Sequence, residues 1–152
     1  MLLNNAGVYG KRQLKLGTFD YGDWEQVMRT NVLSPIRLAE ALAENVAHSQ
    51  HKKMAFVTSR MGSVAMNAGG SMAYRTSKSA LNMAVSCLSM DLKSRGVACV
   101  LLHPGWVKTD MGGPNAAIEI PDSIAGMKAV IDRVGAADSG KFFDYQGQAI
   151  PW

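Results

Sequence analysis

An α/β fold built on a parallel sheet is what these 152 residues predict, and three observations predict it. Short apolar runs end in turn-forming residues. Long stretches of helical spacing lie between those runs. Each connection is long enough to return the chain to the same edge of a sheet, and strands joined in this way form parallel βαβ units with right-handed crossovers.

The elements follow in order. Met1-Leu2-Leu3 reads as the tail of a buried strand that begins abruptly. A central strand left as a bare edge is costly, so the sequence leaves three options: the chain is a fragment, its start is misassigned, or something else covers that edge. Helical spacing runs from about Asp23 to Val46. Lys53–Ser59 alternates with it as a strand, ending in Thr58 and Ser59. A second long helix runs from about Ala73 to Ser94, with Gly96 as its stop. Ala98–Pro104 is the next strand. Pro121-Asp122-Ser123 starts a helix that runs to about Val134, and Lys141–Gln146 is the last strand. There is no internal repeat, low-complexity tract or linker, so residues 1–152 read as one domain. The helix after Ala73 is apolar nearly all round, through Ala80, Leu81, Met83, Ala84, Val85, Cys87, Leu88, Met90 and Leu92. Such a helix needs cover on two sides. One cover is the sheet, and the other is a second helix or a second subunit, which predicts a homodimer or a larger assembly.

Composition excludes several classes. An apolar fraction of 47% and a charged fraction of 18% are those of a globular domain. The net charge of +4 is scattered, with Lys11, Arg12 and Lys15 in one loop and Lys52 and Lys53 in another, so no nucleic-acid footprint is expected. No apolar stretch approaches the ~20 residues that cross a bilayer. The first five residues are too short for a signal-peptide core, and a cytoplasmic location follows by default. Cys87 and Cys99 sit in apolar runs and read as buried, reduced thiols. His48, His51 and His103 lack metal-ligand spacing, and no metal site is expected.

The chemistry begins at Tyr74-Arg75-Thr76-Ser77-Lys78. Residues four apart share a helix face, so the Lys78 ammonium can approach the Tyr74 phenol. A nearby cation favours phenolate and draws its pKa down from ~10. A phenol tuned in this way can exchange a proton with a substrate oxygen. By itself the spacing arises readily by chance. Its company makes it specific: Asn4-Asn5-Ala6-Gly7 after an apolar run, Asn31 inside a helix, Ser59 at a strand end in Thr58-Ser59-Arg60-Met61-Gly62-Ser63, and His103-Pro104-Gly105-Trp106 leading into Val107-Lys108-Thr109-Asp110-Met111.

In that order, over essentially the whole chain, these features resemble the short-chain dehydrogenase/reductase family, in its C-factor-like or sniffer-like branch. The resemblance implies a Rossmann-type doubly wound sheet and an NAD(P)-dependent interconversion of a carbonyl and a secondary alcohol. It assigns Tyr74 as general acid/base and Lys78 as the cation that lowers its pKa and holds the nicotinamide ribose. Ser59 would hydrogen-bond the substrate oxygen, although Ser63 is a second hydroxyl in the same loop. Asn31 would distort its helix and hold a water linking Lys78 to solvent. A blander reading has Asn31 bonding backbone in a helix already disturbed by Pro35. Asn5, Ala6 and Gly7 would line the adenosine side of the cofactor site. Pro104, Gly105, Val107 and Thr109 would meet the carboxamide and phosphates.

Family members begin with a βαβαβ part whose Gly-rich turn receives the pyrophosphate at a helix amino end. No such turn occurs among these residues. The expectation is therefore the carboxy-terminal portion of the fold, a single incomplete domain that binds NAD or NADP weakly by itself. The choice between the two cofactors is not encoded here. The alternative implied by the same resemblance is a non-enzymatic C-factor-like cell–cell signalling protein or an inactive fragment.

Overall fold

In the computed structural model, which describes residues 1–12 and 14–152, four parallel strands lie in the order of the chain. They are β1 (Leu2–Asn4), β2 (Lys53–Val57), β3 (Ala98–His103) and β4 (Phe142–Asp144). The helices are α1 (Tyr21–Met28), α2 (Ser34–Ala47), α3 (Met72–Asp91) and α4 (Ile120–Arg133). Every expected strand and helix is present. The exception is the single helix expected from Asp23 to Val46, which is two helices joined through a π-helical turn at Arg29–Leu33. Pro35 stands in the first turn of α2. Having no N–H, it offers nothing to the carbonyl four residues back, and the chain widens its turn there.

Register sorts the side chains onto two faces. Met54 pairs with Cys99 and Phe56 with Leu101, and these four pack with α2 and α3 through Ala39, Val46, Leu81 and Val85. The intervening residues, Ala55, Val100 and Leu102, turn the other way and meet Val130 and Ile131 of α4 and Val134 just after it. A period of two along each strand thus decides which helix each residue meets. Asp20 caps α1 by accepting from the Asp23 amide at 3.0 Å, and Gly96 (φ +70°) ends the short turn after α3 in the left-handed conformation.

The expected cover of α3 is only half met. Leu81 and Val85 are buried against the sheet, while Met83 and Met90 are 65% and 74% exposed. Cys99 is a buried free thiol as expected, but Cys87 is exposed, because it shares the outer face of α3 with those methionines. Among the described residues no helix is long and apolar enough to cross a membrane.

Because all four strands are parallel, their carboxyl ends lie on one edge of the sheet. The connections that leave Asn4, Val57 and His103 therefore open side by side. In open α/β sheets that edge is where ligands bind.

Candidate active site

Between those connections lies a cleft of about 1090 Å3. Asn5, Ala6 and Gly7 enter it after β1, Ser59 after β2, and Pro104, Gly105, Val107 and Thr109 after β3. Tyr74 and Lys78 reach it from the first turns of α3. Candidates scattered along the sequence thus line one cavity, with Asn31 the exception. Gly105 holds φ +86°, a conformation that disfavours any side chain, at the turn where the chain leaves β3.

Asn31 lies behind the cleft wall, 1% exposed. Its Oδ1 accepts from the Val8 amide at 2.8 Å, and its Nδ2 donates to the Val8 carbonyl at 2.8 Å and the Ser77 hydroxyl at 3.0 Å. Both amide hydrogens are therefore spent on bracing the loop after β1 against α3. This corrects the blander reading: the side chain bonds backbone, but that of another segment and not of its own helix. The π-helical turn does distort the helix around it.

The Ser59 side chain accepts from the Met61 amide at 3.2 Å and so caps the turn Arg60–Gly62. Ser63, 2% exposed, accepts instead from the Met66 amide and does not line the cleft. Of the two hydroxyls, Ser59 is the one beside Tyr74. The turn itself presses on α3: a Cβ at Gly62 would stand 2.8 Å from the Lys78 backbone carbonyl carbon. A glycine there is what lets the serine turn approach the tyrosine helix so closely.

Tyr74 is 7% exposed and Lys78 is 3% exposed. The Lys78 ammonium donates to the Val57 carbonyl at 3.1 Å and sits 5.7 Å from the centre of the Tyr74 ring. The two residues share a helix face, as their spacing predicts, yet the electrostatic expectation is corrected. Burial raises the Tyr74 phenol above its usual 10.0, against the opposing pull of the Ser59 hydroxyl and with a small push from Tyr9. Lys78 is itself brought down to about 8 by burial. In the chain without a ligand, the cost of burying charge outweighs the benefit of the neighbouring cation.

Several residues of the site carry no signal in the sequence. Tyr9 stacks on Tyr74 with ring centres 4.5 Å apart at 18°. Arg12 lies over Tyr9 and donates to the Met111 carbonyl across the cleft at 2.7 Å. Both stand in a loop, where no periodicity marks a residue. Ser77, fully buried, links Asn31 to the Tyr74 carbonyl; its place between Tyr74 and Lys78 was the available clue. His103 ends β3 under the cleft, and burial, reinforced by Arg60 and opposed by Asp144, lowers it to about 4. Its ring is neutral at ordinary pH. Among the described residues no group of three or more His, Cys, Asp or Glu could hold a metal ion.

Comparison with known proteins gives a consistent result. The profile of the short chain dehydrogenase family matches residues 1–119. Over its full length the chain is 50% identical to the C-signal of Myxococcus xanthus, of which it covers 92%. The carbonyl reductase Sniffer of D. melanogaster is similar with a TM-score of 0.93 at 36% identity, over 99% of this chain. The NADPH-bound carbonyl reductase from chicken fatty liver gives a TM-score of 0.90 at 32% identity, again over 99% of this chain. This chain spans 65% of the length of each reductase. The expected fold class, part of a Rossmann-type parallel sheet, agrees with both superpositions.

Proposed function

Since the chain belongs to the short chain dehydrogenase family, we propose that it serves an NAD(P)-dependent oxidoreductase that interconverts a carbonyl and a secondary alcohol. The observation that carries this reading is the single cleft shared by Tyr74, Lys78, Ser59 and the loops after three parallel strands. Tyr74 is the proton donor to the substrate oxygen, and Ser59 holds that oxygen by hydrogen bond. A phenol raised by burial is held protonated near neutral pH, the state that a proton donor to a carbonyl oxygen requires. Trp106, Met66, Met111 and Ile124 form apolar walls, suited to an apolar carbonyl compound.

The residues present fit a nicotinamide nucleotide, NAD or NADP. Lys78 uses one of its three N–H donors on Val57, leaving two for ribose hydroxyls. A Cβ at Gly7 would stand 3.4 Å from both the Lys78 Nζ and the Asn31 Oδ1, so glycine keeps that wall open beside the ammonium. Asn5, Ala6, Pro104, Gly105, Val107 and Thr109 would complete the lining, and Thr109 offers a hydroxyl to a phosphate or carboxamide. When bound, the nicotinamide supplies the hydride. The Asn31 carbonyl, left without an i+4 donor by Pro35, is the group through which a water would connect Lys78 to solvent. The exposed outer face of α3 supports a homodimer or tetramer as the working assembly.

In a protein that also carries the βαβαβ part, Tyr74→Phe is expected to lower carbonyl reduction by about 10²–10⁴-fold, with NAD(P)H affinity nearly intact by fluorescence titration. Undiminished turnover would reject the assignment. A second reading, a signal rather than a catalyst, is favoured by similarity: the chain is 50% identical to the C-signal relative over its whole length, against 36% and 32% for the two reductases. A folded protein that carries the βαβαβ part as well, yet shows neither NAD(P)H binding nor turnover, would support that second reading instead.

A further inference from the structure

We propose that Tyr9 is a positioning residue for Tyr74, holding the phenol ring by stacking, and that Arg12 locks this stack to the segment opposite by its bond to Met111. The proposal rests on the reading of Tyr74 as proton donor, and it adds what keeps that ring in place.

Three layers carry it. The Tyr9 ring lies on the Tyr74 ring at 4.5 Å and 18°. On Tyr9 lies the Arg12 guanidinium, 4.3 Å from the ring centre. The same guanidinium donates to the Met111 carbonyl at 2.7 Å, joining the loop after β1 to the segment after β3. Tyr9, Arg12, Tyr74 and Met111 all line the cleft. Stacked aromatic rings, and a cation over an aromatic face, attract beyond their shared buried area. The arrangement therefore has an energetic reason to persist.

The Tyr9 hydroxyl supplies an independent observation. It hydrogen-bonds the Ser71 Oγ at 2.7 Å, and Ser71 holds a left-handed backbone with φ +47° immediately before α3. A serine in that conformation is strained, because its Cβ crowds the backbone, and such strain persists where neighbours over-determine it. The residue that enters the tyrosine helix is thus held in a strained conformation and tied to the ring that covers the tyrosine. A loop that only connected β1 to α1 would need neither the stack nor this bond. The stack also covers one face of Tyr74, in keeping with the burial that raises its phenol. Arg12, in turn, makes the order of this face depend on the position of the Met111 segment, which forms the opposite wall of the cleft.

The test uses two substitutions at one position. Tyr9→Phe keeps the ring and loses the Ser71 bond, while Tyr9→Leu loses the ring. Carbon-13 labelling of tyrosine, with the Tyr74 signal assigned by Tyr74→Phe, reads the stack in the chain without any cofactor. The expected result is a changed Tyr74 chemical shift and a phenol titrating at lower pH in Tyr9→Leu, with Tyr9→Phe close to the parent. In turnover, Tyr9→Leu should lower kcat by about 2- to 10-fold, as expected from losing one stacked pair, with KM unchanged. If Tyr74→Phe retains full turnover, the proton-donor reading fails while the labelled spectra still judge the stack. A Tyr74 signal identical in Tyr9→Leu and the parent would overturn the proposal. If Tyr9→Leu does not fold, Arg12→Gln at the exposed outer layer decides. Amide exchange should then quicken in residues 106–112 and the Tyr74 shift should move, and neither change occurring would equally overturn it.

Discussion

Two stretches of α3 are built on opposite principles. The first, Tyr74 to Lys78, buries polar groups: Tyr74, Ser77 and Lys78 are all at most 7% exposed. Ser77 is partnered by Asn31 and Lys78 by the Val57 carbonyl. The second, from Leu81 onward, buries Leu81 and Val85 against the sheet and exposes Met83, Cys87 and Met90. One helix therefore spends stability at its amino end and recovers it further on. Buried polar groups remain tolerable only when each is satisfied, and an ammonium at 3% exposure is costly even then.

Breaking the packed stretch should have the largest effect. Leu81→Ala removes a side chain at 2% exposure that packs with Phe56 and Leu101. A loss of about 2–5 kcal/mol is expected by urea denaturation. A loss below that range would mean that the stretch from Leu81 onward is less essential than its burial implies.

The polar stretch is probed by pH. Lys78 falls from 10.5 to about 8 on folding, so between those values the unfolded chain holds a proton that the folded chain has released. Stability therefore rises as pH climbs from about 8 to 10.5, by about 3 kcal/mol in total from this group. Below pH 8 both states are protonated and the folded state bears the full cost. Lys78→Met should remove this rise while leaving the chain folded at pH 7. An unchanged alkaline profile in that variant would show that the ammonium is better solvated than its surroundings suggest.

The outer face should respond least. Met83→Ser and Met90→Ser are expected to change stability by no more than about 0.5 kcal/mol when the chain is monomeric. Sedimentation sharpens the comparison. If the parent is a dimer and these variants are monomers, the stretch of α3 from Leu81 onward has a packing partner after all, as its apolar outer positions predicted.

Much of this arrangement was legible beforehand because it obeys local rules. The strands at Lys53 and Ala98 are marked by apolar runs, and the helices by spacing and by Pro121 and Gly96. The Tyr74–Lys78 pair is marked by its four-residue interval. The break at Arg29–Leu33 was half legible: Pro35 announced a disturbance but not a wider turn. Tyr9, Arg12 and His103 were not identified as site residues, since a loop residue acquires its neighbours only when distant strands come into register.

The sequence by itself determined which segments become strands and helices, and which residue types are able to exchange a proton, because both depend on intervals within a few residues. Tertiary structure alone decided that Asn31 braces a loop, that Ser59 and not Ser63 faces Tyr74, and that the phenol is raised. Burial and hydrogen-bond partners come from segments far apart in the chain, and the solvation of a charge depends on everything packed around it.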